Sequence, residues 1–126
     1  MSLPGEVYWR QGHPWIIISA KDHPSGKLLY VNLTTLDEEC PDDECVLTKA
    51  DYGWIEDNHP TAVAFSRAKI AEVRQFNEAV RQGHLRIGTP AAVSVACLAK
   101  IQKAALSSKQ LSKEKKELLP NSPDLG

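Results

Sequence analysis

The stretch His13-Pro14-Trp15-Ile16-Ile17-Ile18-Ser19 limits what this chain can become. Its apolar run is rich in β-branched residues, whose side chains suit a pleated, buried surface better than a helix. A continuous apolar run of that length, without alternation, fits a strand buried on both faces. A second such run, Leu28-Leu29-Tyr30-Val31-Asn32-Leu33-Thr34-Thr35, follows after the turn-forming segment Lys21-Asp22-His23-Pro24-Ser25-Gly26-Lys27. The pair reads as an antiparallel hairpin with a long loop. Polar groups stand at the ends of both runs, so the core holds the strands and their ends can carry chemistry.

The remaining chain extends this pattern. Val7-Tyr8-Trp9, within residues 5–11, reads as an earlier strand closing at Gln11-Gly12. Cys45 to Thr48 reads as a fourth strand, Thr61 to Phe65 as a fifth and Ala68 to Val73 as a sixth. The acidic segment 37–44 is too polar to bury, and residues 51–60 are broken by Gly53, Asn58 and Pro60. Helical signals follow. Phe76, Ala79 and Val80 share one face of a helix over 73–82, with Gly83 as its stop. Thr89-Pro90 has the form of a helix start, a capping hydroxyl followed by proline at the first position. Val95, Leu98, Ile101 and Ala105 then recur at helical spacing, which predicts a long helix over 90–107. Residues 110–119 are a further helical segment with little to bury, so 108–126 reads as a polar helical or disordered tail. Strands followed by helices, without βαβ alternation, predict an α+β, mainly β fold. Its expected form is a small antiparallel barrel of five to six strands with C-terminal helices packed on it, one domain over 1–107.

At 126 residues the chain can hold one real core. No apolar run approaches the roughly 20 residues needed to cross a bilayer, and no leader is expected. Three cysteines, Cys40, Cys45 and Cys97, make an odd number, which suits a reducing, cytoplasmic setting. Charge is uneven along the chain. Residues 1–60 carry 11 acidic and 4 basic side chains; residues 61–126 carry 11 basic and 5 acidic. The halves can attract each other, or the second half can offer a basic surface to an anion. The pI of about 6.4 argues against a dedicated high-affinity nucleic-acid binder, whose domain is strongly basic.

The order of these elements resembles the PemK/MazF family of toxin-like proteins. In that family a Gly precedes an Arg-Pro step that opens a hydrophobic strand ending in Ser. Here Gly12-His13-Pro14-Trp15-Ile16-Ile17-Ile18-Ser19 stands in that place. Val31-Asn32-Leu33-Thr34-Thr35 resembles the family strand that ends in a Thr/Ser segment. Val63 to Ile70 is similar to the strand after the family's middle loop, and 83–105 to its turn into a long helix. The likeness covers about residues 5–105 and rests on order and pattern. It implies an SH3-like barrel, a homodimer, often a small antitoxin partner, and metal-independent, sequence-selective cleavage of single-stranded RNA without a cofactor. One departure matters: the family's catalytic Arg falls at His13. An imidazole can take over proton transfer but not the bidentate grip of a guanidinium on phosphate. The family's catalytic Thr or Ser carries over to Thr34 or Thr35. With that departure, a non-catalytic relative that binds RNA or protein, or a dimeric interaction subunit, stands beside the nuclease reading.

RNA cleavage without a metal requires a base for the 2′-hydroxyl, an acid for the leaving oxygen and a cation for the phosphate. His13 can serve as base or acid, and Thr34 or Thr35 can donate to a phosphate oxygen. Arg10, Arg67 and Lys69 are candidate cations, and Trp54, with Tyr52 beside it, can stack bases. Each has a plainer alternative. His13 can be a turn residue packed on Trp15, the threonines can simply end a strand, and Tyr52 and Trp54 can plug the barrel end. His59-Pro60 repeats the His-Pro step in a loop and offers a second imidazole. The Cys40/Cys45 spacing fits a metal pair poorly, and no second Cys/His pair follows, so no metal site is expected.

Overall fold

The computed structural model describes residues 3–35, 43–55 and 61–120. Among the described residues six strands form one curled antiparallel sheet: β1 (Glu6–Arg10), β2 (His13–Ile17), β3 (Lys27–Thr35), β4 (Val46–Leu47), β5 (Thr61–Glu72) and β6 (Arg86–Ala92). Their order across the sheet is β4-β5-β3-β2-β1-β6. Three helices accompany them: α1 (Val73–Arg81), α2 (Val95–Ser107) and α3 (Lys113–Lys116). The fold is therefore mainly antiparallel β with added helices, as the run of strands implies. No helix among the described residues is long and apolar enough to cross a membrane.

The central hairpin forms as its two apolar runs demand, with Trp15 opposite Asn32 and Ile17 opposite Tyr30. Both runs lack the polar alternation of a half-exposed strand because both faces of the sheet are covered. On one face Ile16, Ile18, Leu29, Val31, Leu33, Val63 and Phe65 pack with Cys97, Ile101 and Ala105 of α2. On the other, Tyr8, Trp15, Ile17, Leu28 and Tyr30 pack with Phe76 of α1 and with Leu85. Buried Gln102 of α2 donates from Nε2 to the carbonyl of Ile18 at 3.0 Å, tying the helix to the chain leaving β2. The helix α1 ends as its sequence predicts, with Gly83 in the left-handed region at φ 83°.

Three expectations need correction. The fifth and sixth strands are one strand, β5, whose pairing with β3 slips midway. Ala64 pairs with Asn32 and Lys69 with Tyr30, so residues 65–68 bulge opposite Val31 alone. Second, Thr89-Pro90, joined by a cis bond, lies inside β6 rather than at a helix start. β6 is the edge of the sheet beside β1, and an edge strand tolerates a residue without an N–H. The long helix instead begins at Val95, where the Ser94 hydroxyl accepts from the Cys97 amide at 3.1 Å. Third, the segment after α2, expected as a polar helical or disordered tail with little to bury, packs into the core as far as residue 120. Leu111, Leu118 and Leu119 are buried in the α2-side core, and the Ala20 amide donates to the Leu118 carbonyl at 2.8 Å. The helix expected over 110–119 is only the single turn α3. Glu44 fastens the start of this segment, accepting from the Ser108 hydroxyl and the Lys109 amide. Those hydrogen bonds, the hydroxyl's first, hold its carboxyl below the usual range.

Candidate functional site

The hairpin between β1 and β2 turns on Gln11 and Gly12, both at positive φ (52° and 82°), the geometry that matches strand twist in a two-residue turn. This tight turn sets Arg10 directly opposite His13. His13 is exposed at the first position of β2, while Pro14 and Trp15 behind it are buried. On the next strand, β3 runs out at Thr34 and Thr35, paired with Ala62 and Thr61 of β5. The ends of β2 and β3 therefore lie at the same rim of the sheet.

A third segment reaches that rim from residues 48–55, which hold their shape through a dense set of bonds. The Asp51 carboxylate accepts from the Thr48 amide at 2.9 Å and pairs with Lys100 at 3.2 Å. Lys100 also donates to the Val46 carbonyl at 2.9 Å. Tyr52 is buried and donates its hydroxyl to the Pro90 carbonyl at 2.6 Å; burial pushes the ionisation of that phenol up. Tyr52 is thus an anchor and not a stacking platform. Trp54 is what the anchored segment presents. Its ring is 44% exposed and meets Trp9 edge to face, centroids 5.1 Å apart.

Together these elements enclose a cleft of about 280 Å³ lined by His13, Leu33, Thr34, Thr35, Trp54 and Thr61, with Gly12 at its lip. Residues far apart in sequence meet in it: the imidazole, both threonines and the aromatic. Both threonines line it. Alternation along β3 sets Thr34 on the face of Tyr30 and Asn32, and Thr35 on the face of Leu33.

The candidate cations are placed differently. Arg10 is the cross-strand partner of His13 but lines a neighbouring cavity. Lys69 pairs with Tyr30, and Arg67 is exposed in the β5 bulge; neither lines the cleft. His59 and Cys40 lie outside the described residues. Cys45 is buried, with its thiol pushed up to about 11 by burial.

Two residues escaped the sequence reading. Thr61, at the start of β5, closes the cleft opposite Thr35. Asn32 sits one alternation behind Thr34, only 3% exposed, and its Oδ1 has no hydrogen-bond partner among the described residues. A buried acceptor left unpaired costs about 1–3 kcal/mol, so such a group calls for a reason. An amide in the middle of an apolar strand was the one available signal.

Comparison with protein-family models, with curated proteins and with solved structures finds no match to this chain.

Proposed function

We propose that the chain is a cytoplasmic PemK/MazF-like protein with an SH3-like barrel, and that its cleft binds single-stranded RNA and cleaves it without a metal. The observation that carries this is the meeting of His13, Thr34, Thr35 and Trp54 in one solvent-open cleft. In this reading His13 removes the 2′-hydroxyl proton, and the freed 2′-oxygen attacks phosphorus. The threonine hydroxyls donate to the phosphate oxygens as charge builds there. The leaving 5′-oxygen takes up a proton from the imidazolium or from water. Trp54 stacks a flanking base on its open ring. Arg10, the cross-strand partner of His13, supplies positive charge beside the cleft, in the neighbouring cavity. By the same resemblance the protein acts as a homodimer and meets a small antitoxin-like partner.

A second reading, an RNA-binding relative without cleavage, is favoured by the imidazole at the position of the family's Arg. A cleavage assay on long single-stranded RNA in EDTA separates the two. We expect cutting that persists in EDTA, is abolished in His13→Ala, and falls about 10²–10³-fold in Thr34→Ala/Thr35→Ala. A folded wild-type protein that binds RNA but does not cut it establishes the binding module. One that neither binds nor cuts overturns the RNA reading.

A further inference from the structure

A second cavity, of about 250 Å³, opens on the sheet face beneath α1, with Arg10, Tyr30, Gln75, Phe76, Ala79 and His84 around it. Its chemistry is divided. Tyr30 and Phe76 form an aromatic corner, their rings 5.3 Å apart at 66°. Arg10, the Gln75 amide and exposed His84 supply the polar edge. Arg10 lies near enough to Tyr30 to oppose the upward push of burial on its phenol. A space below the ~300–1,000 Å³ of drug-sized sites suits a single planar ring system with an anionic neighbour.

This cavity and the cleft are neighbours by construction. Arg10 and His13 face each other across the β1–β2 turn, one lining the cavity and the other the cleft. On β3, Tyr30 lines the cavity, Thr34 lines the cleft, and Asn32 stands between them on the same face. Four strand steps separate Tyr30 from Thr34, about 13 Å, which an extended polynucleotide can follow.

We infer that the Arg10–Tyr30–His84 cavity is a second nucleotide subsite, holding the base of a nucleotide two steps along the strand from the one in the cleft, with its phosphate on Arg10. This rests on the single-stranded RNA reading above and adds to it a second point of grip, on the far side of the hairpin turn. The consequence is a dependence on RNA length: a strand that fills only the cleft ignores the cavity, and a longer one feels it.

The test is equilibrium binding, by fluorescence anisotropy, of uncleavable 2′-fluoro RNAs, a dinucleotide and an octanucleotide, to wild type, Ala79→Leu, Arg10→Gln and His84→Gln. Leucine keeps a strong helix former in α1 while filling the cavity, His84 is exposed, and circular dichroism checks that each variant is folded. We expect Ala79→Leu to weaken octanucleotide binding about tenfold, the value of one stacked base, and to leave the dinucleotide unchanged. Arg10→Gln should also flatten the salt dependence of octanucleotide binding by about 0.7 in log–log slope. If wild type binds the octanucleotide and the cavity variants bind both lengths as wild type does, the subsite is wrong while the RNA reading stands. If wild type binds neither RNA, both fall. Binding of free adenosine monophosphate that the octanucleotide does not displace would also overturn the subsite, marking the cavity as a small-molecule site.

Discussion

The polar residues that matter here are few, and Asn32 is the most telling of them. It occupies a strand whose neighbours Val31 and Leu33 are fully committed to the core, yet its own Oδ1 is buried without a partner among the described residues. Nothing in the packing requires an amide there; a β-branched apolar residue would suit the strand better. Asn32→Val should therefore raise folding stability by about 1 kcal/mol, read from urea unfolding. A loss of stability would show that the amide is structurally satisfied. His13 carries the opposite lesson. Its place before Pro14 was readable in the sequence, but its exposure at the rim depends on the two-residue turn that precedes it.

At the scale of elements, the legible parts were those whose pattern answers to one partner. The β2–β3 hairpin and α1 announce themselves by apolar runs, turn residues and a stop glycine. β6 did not, because Thr-Pro has the same appearance at a helix start and on a sheet edge; only the neighbour decides, and that neighbour is β1. The convergence in the cleft was hidden for the same reason. His13, Thr34 and Trp54 meet through strand pairing and through the anchored 48–55 segment, neither of which has a local signature. Gly88 of β6 is the tightest point of that arrangement. A Cβ there would lie 3.1 Å from both the Tyr52 hydroxyl and Val7, and 3.2 Å from Trp9 Nε1. Tyr52 and Val7 are buried and have no room to give way. Gly88→Ala should cost about 1–3 kcal/mol in thermal or denaturant unfolding, and should disturb the Trp9–Trp54 pair at the cleft rim. Unchanged stability would mean that β6 shifts freely against β1.

For the whole molecule, two covered faces explain why a chain of this size folds around an open sheet. α2 and the leucines of 111–119 seal one face, and α1 seals the other. The α2-side core also holds two thiols, Cys45 and Cys97. Burial pushes them up to about 11 and about 12. The folded state therefore keeps both protons where the unfolded chain begins to lose them. Stability is whole below pH 9 and should fall above it by about 1.4 kcal/mol per pH unit for each thiol, until the folded-state values are reached. Denaturant titrations from pH 8 to 11 measure this directly. Cys45→Ala/Cys97→Ala should flatten the decline, and an equal decline in that variant would assign it to other groups, the raised Tyr30 and Tyr52 phenols among them.

The edge-to-face pair of Trp9 and Trp54 gives the cleft an optical signal of its own. Of the three tryptophans, Trp15 is shielded and Trp54 is open to water. Emission excited at the indole band should thus be dominated at its red side by the ring that a base would cover. Adding RNA should shift that emission to the blue or quench it, and Trp54→Phe should remove the change while leaving the buried component. The molecule would then report the filling of its own cleft, with no label attached.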